Sequence, residues 1–136
     1  MLAICRDTVG SAIPLAERYL GEMDQTNYSP LKKGEAYVIY AVLFIVDRVD
    51  FLVRAPQQPP FWAPSCLFDL VDSAIPAGWG FCETRTNAEY RVLFDVFQIS
   101  HILGYSLLVS EYVHYQGVVE RDPAEVRRFM ELDLPS

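Results

Sequence analysis

The apolar positions of this chain change their rhythm from one end to the other. Leu2 to Arg6 reads as a short opening strand, and "PLAERYLGEMD" as one or two helical turns that start at Pro14 and stop at Gly21. Ser29-Pro30 then breaks the pattern. "EAYVIYAVLFIV" is rich in β-branched and aromatic residues and apolar at successive positions, which predicts one long strand covered on both faces. A turn at Asp47-Arg48 leads into "VDFLVRA", where Val49, Phe51 and Val53 share one face and Asp50 and Arg54 the other. That alternation predicts a partly exposed strand, ended by Pro56, Pro59 and Pro60, because proline donates no ladder hydrogen bond.

Further strands are predicted over Leu67 to Val71 and over "GWGFCET", with a turn at Thr86-Asn87. "YRVLFDVFQISHIL" carries both signals: Arg91, Asp95, Gln98 and His101 lie near helical spacing, while its β-branched and aromatic content favours strand. Strand is the reading preferred here. After Gly104 the pattern turns helical. "SLLVSEYVHYQ" predicts two or three turns ending at Gly117, and "DPAEVRRFMEL" a helix with Asp122 as cap, Pro123 in the first turn and Glu125 completing a capping-box-like D-x-x-E. Val126, Phe129 and Met130 form its apolar stripe. The expected fold class is α+β: a small, strongly bent antiparallel sheet or SH3-like barrel, with short flanking helices including a C-terminal one, in a single domain over 1–136.

Charge and composition narrow the function classes. The formal net charge of −7 argues against nucleic-acid binding, which needs a basic footprint, and suits a basic partner. The longest apolar run, Ala36 to Val46, falls short of the roughly 20 residues of a membrane helix. No secretory signal is visible at the N-terminus, and the three widely spaced cysteines (Cys5, Cys66, Cys82) fit small thiols in a reducing compartment, so the expected location is cytoplasmic.

Candidate chemistry is sparse. Cys66 with His101 or His114 does not make a recognisable nucleophile-base pattern, and a cysteine beside an apolar run usually acts as a small hydrophobe. The two histidines belong to no metal-ligand spacing and read as one partly buried and one surface imidazole. Asp69 and Asp72 point to opposite faces of a strand, and Asp72 is expected to close a turn through its side chain. No catalytic residue, metal site or cofactor is therefore assigned. The aromatics Trp62, Trp79, Tyr37 and Tyr40 are the binding candidates, because Trp and Tyr offer a flat apolar body with one polar handle. Against that stands the reading of Trp62 and Trp79 as plugs of the core, which is favoured.

The segments "LKKGEAYVIYAV", "FWAPSCLFDLVD", "IPAGWGF", "ILGY" and "HYQGVVERD" also carry a resemblance. Their order is similar to that of a family of small uncharacterised bacterial proteins with an SH3-like barrel portion, in the pattern L-x-x-G-x-x-Y-x-V, W-x-P-x-x-L-F-x-x-V-D, W and G-Y. The matching positions are Leu31, Gly34, Tyr37, Trp62, Pro64, Leu67, Phe68, Val71, Asp72, Trp79, Gly104 and Tyr105, with Ile39 standing where the pattern has valine. The resemblance implies a barrel portion and no particular chemistry; some small acidic bacterial proteins of this kind are toxin-neutralising immunity proteins. The leading expectation is a non-enzymatic protein-binding module, immunity-like in one form, with a protein partner and room for a homo-oligomer. The rival is a small-molecule binder or enzyme with a pocket near Trp62, Trp79, Cys66 and His101.

Overall fold

The computed structural model describes residues 1–132 and arranges them in three layers. The middle layer is a five-stranded antiparallel sheet in the order β5-β4-β3-β8-β7, formed by β3 (Ala41–Ile45), β4 (Arg48–Val53), β5 (Phe61–Pro64), β7 (Trp79–Glu83) and β8 (Ile99–Tyr105). On one side lies a three-stranded antiparallel sheet, β2-β1-β6, formed by β1 (Leu2–Cys5), β2 (Ala36–Val38) and β6 (Phe68–Asp72). On the other lie α1 (Arg91–Phe97), α2 (Ser106–Ser110), α3 (Tyr112–Glu120) and α4 (Pro123–Glu131). Neither sheet closes on itself, so the expected α+β class stands as two open sheets with helices, one of them C-terminal.

The period-two rule places the cores. Ala41, Leu43 and Ile45 of β3 join Leu52 and Ile102 beneath the helices, while Val42, Phe51 and Val53 meet Ala3, Cys5 and Phe68 of the smaller sheet. The central strands are thus covered on both faces, as the unbroken apolar run over 36–46 predicts. That run is nevertheless two strands and not one. It breaks at Ile39-Tyr40, where the chain leaves the small sheet (Ala3 opposite Tyr37) and enters the large one (Ala41 opposite Leu52). A single apolar run has no mark for a change of sheet.

Four other expectations are corrected. β4 is buried from Asp50 to Val53: Asp50 is as buried as the apolar residues that follow it, because both neighbouring strands and the helical layer enclose it. The hairpin turn is Val46-Asp47, and Arg48 opens β4 opposite Ile45. Phe61–Pro64, where no strand is expected between Pro60 and Leu67, is edge strand β5, a place where proline is tolerated. Residues 90–103 divide between helix and strand. Asn87 accepts the N–H groups of Glu89 and Tyr90, Arg91 reaches Asp95 across one turn at 3.4 Å, and Gln98 in the left-handed region (φ 59°) ends α1 before β8 begins.

The C-terminal helix forms where expected, with Asp122 accepting from the Ala124 amide at 3.4 Å. Its buried face is Glu125 and Phe129, with Val126 at the margin and Met130 exposed. α3 does not stop at Gly117 but runs to Glu120, and Arg121 in the left-handed region caps it. Gly117 has a packing role instead. A Cβ there would stand 2.3 Å from Glu125 Cγ, so only glycine lets α3 and α4 approach this closely. Asp72 does close a turn through its side chain, accepting from the Ala74 amide at 2.9 Å.

Candidate functional site

Two buried polar networks lie on the helical side of the large sheet, and they differ in how completely they are satisfied. The first joins helices. His114 of α3 is fully buried, contrary to the expectation of one partly buried and one surface histidine. Its Nε2 meets the Tyr105 hydroxyl at 2.7 Å and its Nδ1 the Glu125 carboxylate at 2.9 Å. Arg128 adds a 3.0 Å contact to the same carboxylate and reaches Glu111 at 3.5 Å. The hydrogen bond from His114, aided by Arg128, holds the Glu125 carboxyl below its ordinary value. Glu125 therefore serves the histidine and not the D-x-x-E cap. Burial drives the Tyr105 hydroxyl far above its usual range, so it keeps its proton near neutrality. Both ring nitrogens of His114, the Tyr105 hydroxyl and Glu125 Oε1 have partners, which is how a buried network fastens helices.

The second network stands beside a cavity of about 360 Å³ between β3, β4, β5, α1, α3 and the segment Tyr19 to Tyr28. Arg48 and Asp50 are two apart on β4, so both point to the helical side with Leu52. A tight turn brings in Glu22. Leu20 (φ 50°) and Gly21 (φ 77°) both take the left-handed region between Tyr19 and Glu22, and the Tyr19 amide donates to Glu22 Oε1 at 2.8 Å. The Tyr19 hydroxyl donates to the Phe97 carbonyl, which ties this turn to the end of α1.

Glu22 accepts from Arg48 and from the Tyr28 hydroxyl. Asp50 meets Arg48 at two points, Nη2 to Oδ2 at 3.1 Å and Nε to Oδ1 at 2.8 Å, the latter too poorly aligned to make a hydrogen bond. The three charged side chains keep only 7–8% of their surface exposed. Burial pushes the Asp50 carboxyl above its ordinary value despite the pull of Arg48. The Arg48 guanidinium, itself opposed by burial, is held charged by Asp50 and Glu22 and lies 5.5 Å over the Tyr19 ring.

The walls of the cavity are apolar: Leu43, Ile45, Leu93 and Ile99, with the rings of Trp62 and Tyr115 6.4 Å apart. Trp62 is half-buried and its Nε1 is buried with no hydrogen-bond partner. An unpaired buried donor of this kind costs about 1–3 kcal/mol.

The residues singled out in the sequence do not converge here. Trp62 lines this cavity. Trp79 lines a different, more open groove with Tyr105, Glu111 and Arg128. Tyr37 is buried edge-on to Phe68 with its hydroxyl accepting from the Lys32 amide at 2.8 Å, while Tyr40 packs edge-on against Phe129 at 5.1 Å. Cys66 sits on a one-turn helix between β5 and β6, where burial and Glu17 push its thiol up, and His101 stacks on Phe81 on the face away from the helices. Among the described residues, Trp62, Trp79, Cys66 and His101 line no common pocket. What the sequence reading passed over is the Arg48-Asp50 pair, whose i, i+2 spacing on a strand was the available signal; nothing local marked Glu22.

Among the described residues no group of three His, Cys, Asp or Glu side chains could hold a metal ion, and no helix is long and apolar enough to cross a membrane. No protein-family model, curated protein or solved structure matches the chain, so the geometry of the cavity stands alone as a guide to function.

Proposed function

We propose that this protein binds a small molecule in the cavity between β3, β4, β5, α1, α3 and the Tyr19–Tyr28 segment. One observation carries the reading: three charged side chains, each almost wholly buried, stand at an apolar cavity of about 360 Å³. That volume is in the range of small-ligand sites, which combine apolar walls with a few convergent polar groups. Buried ion groups of this sort are rarely a net gain in stability, so their presence beside a cavity favours a binding role. Among the described residues no cysteine, serine, histidine or lysine lines it, which supports binding over covalent turnover.

A thermal-shift screen of chemically diverse small molecules tests this, since a ligand of the folded state raises Tm. Val119 is half exposed at the cavity wall on α3, and Val119→Trp should fill the cavity. Compounds that stabilise the native protein but not Val119→Trp support the reading. Shifts that survive the substitution, or no shift with any compound, overturn it.

A second reading keeps the protein-binding module, immunity-like in one form, in a cytoplasmic setting. Its support is the apolar surface at β6, where Leu70, Val71 and Ile75 are all exposed between acidic neighbours, together with the net charge of −7. Loss of a partner on Leu70→Asp would favour it. Light scattering would tell a second copy on that edge from a foreign protein.

A further inference from the structure

Resting on the small-molecule reading, the charge balance of the cavity narrows the ligand class. Among the described residues that line it, Glu22, Arg48 and Asp50 are the charged ones. Two carboxylates against one guanidinium leave a surplus of one negative charge in a site shielded from water. A lone buried charge is strongly disfavoured unless something pairs with it.

The two carboxylates are not equally occupied. Glu22 accepts from the Tyr19 amide, the Tyr28 hydroxyl and Arg48. Asp50 receives side-chain donors from Arg48 alone, and one of those two contacts is misaligned. A carboxylate offers about four lone-pair sites, so Asp50, which lines the cavity, retains unused acceptor capacity. An ammonium group brings three donors and one positive charge, which matches what Asp50 lacks. The cavity is also lined by Tyr19, Tyr28, Trp62, Phe97 and Tyr115. Aromatic faces attract cations and also accept a flat apolar body. An anionic ligand would find Arg48 already engaged by both carboxylates.

We infer that the ligand is an organic amine, with its ammonium group at Asp50 and an apolar or aromatic body against the Trp62 and Tyr115 rings that line the cavity.

Three shape-matched probes test this by calorimetry: phenylpropylamine as cation, phenylpropanol as neutral molecule and phenylpropionate as anion. The amine should bind at least about tenfold more tightly than the alcohol, as a desolvated cation beside aromatic faces would. In Asp50→Asn that preference should shrink to about twofold or less, and in Glu22→Gln it should fall in the same direction. An alcohol or anion that binds as tightly as the amine overturns the inference, as does a preference that persists in both variants. If none of the three binds, the amine class fails. Saturable fluorescence of uncharged Nile red, absent in Val119→Trp, would then show that the cavity reading survives it; no such signal would remove both.

Discussion

The His114 network and the Arg48 network are both buried, both polar and both on the helical side of the same sheet, yet they are built to opposite ends. Around His114 each ring nitrogen has a partner, and glycine at 117 lets two helices close over the carboxylate that serves it. Around Arg48 the charges do not balance, one contact is misaligned, the Trp62 Nε1 is unpaired, and a cavity stands beside them. A satisfied network fastens a fold, because each buried group is repaid by a partner. An unsatisfied one beside a cavity is a standing cost, and binding sites are where such costs persist. On the proposed reading, the difference separates architecture from site.

The largest effect is expected in the first network. His114→Leu should lower stability by about 3 kcal/mol, because it strands the Tyr105 hydroxyl and the Glu125 carboxylate in the interior. Calorimetry would read this as a fall of about 10 °C in Tm. Amine binding by whatever folded protein remains should be unchanged. Gly117→Ala should cost about 2 kcal/mol by forcing α3 from α4, measured by urea unfolding.

Asp50→Asn should do the reverse and raise stability by about 1 kcal/mol while removing the amine preference. The pH dependence carries opposite signs in the two networks. Asp50 has a raised folded value, so its ionisation costs stability as pH rises above its ordinary 3.8; the gain from Asp50→Asn should vanish below that pH and grow above it. Glu125 has a lowered folded value, so its contribution is present above its ordinary 4.5 and lost as pH falls below it. Unfolding curves of Glu125→Gln should therefore approach those of the native protein in acid. The smallest effect is at the α4 cap, where Asp122→Ala should cost about 0.5–1 kcal/mol, at the modest end for a 3.4 Å capping contact.

Much of the fold was legible in the chain. β1, β7, the doubly covered β3 and the capped α4 follow from alternation, aromatic content and the Asp122-Pro123 start. What was not legible depended on partners distant in sequence. The run 36–46 changes sheets with no change in composition, and Phe61–Pro64 becomes a strand because β4 lies beside it. His101 sits outside α1 because Gln98 ends the helix first. Of the four aromatics, only Trp62 reaches the proposed site. Asp50 reads as solvent-facing because a strand's polar face usually is, and the covering layer comes from α1, α3 and a turn near Glu22 that no strand pattern reveals.

The claim that the Arg48 network marks the site meets its most direct test in a crystal structure determined with phenylpropylamine. The expected result is an ammonium nitrogen at ~3 Å from the Asp50 carboxylate with its ring against Trp62 and Tyr115. An empty cavity, or the amine seated in the Trp79 groove beside the His114 network, would contradict it.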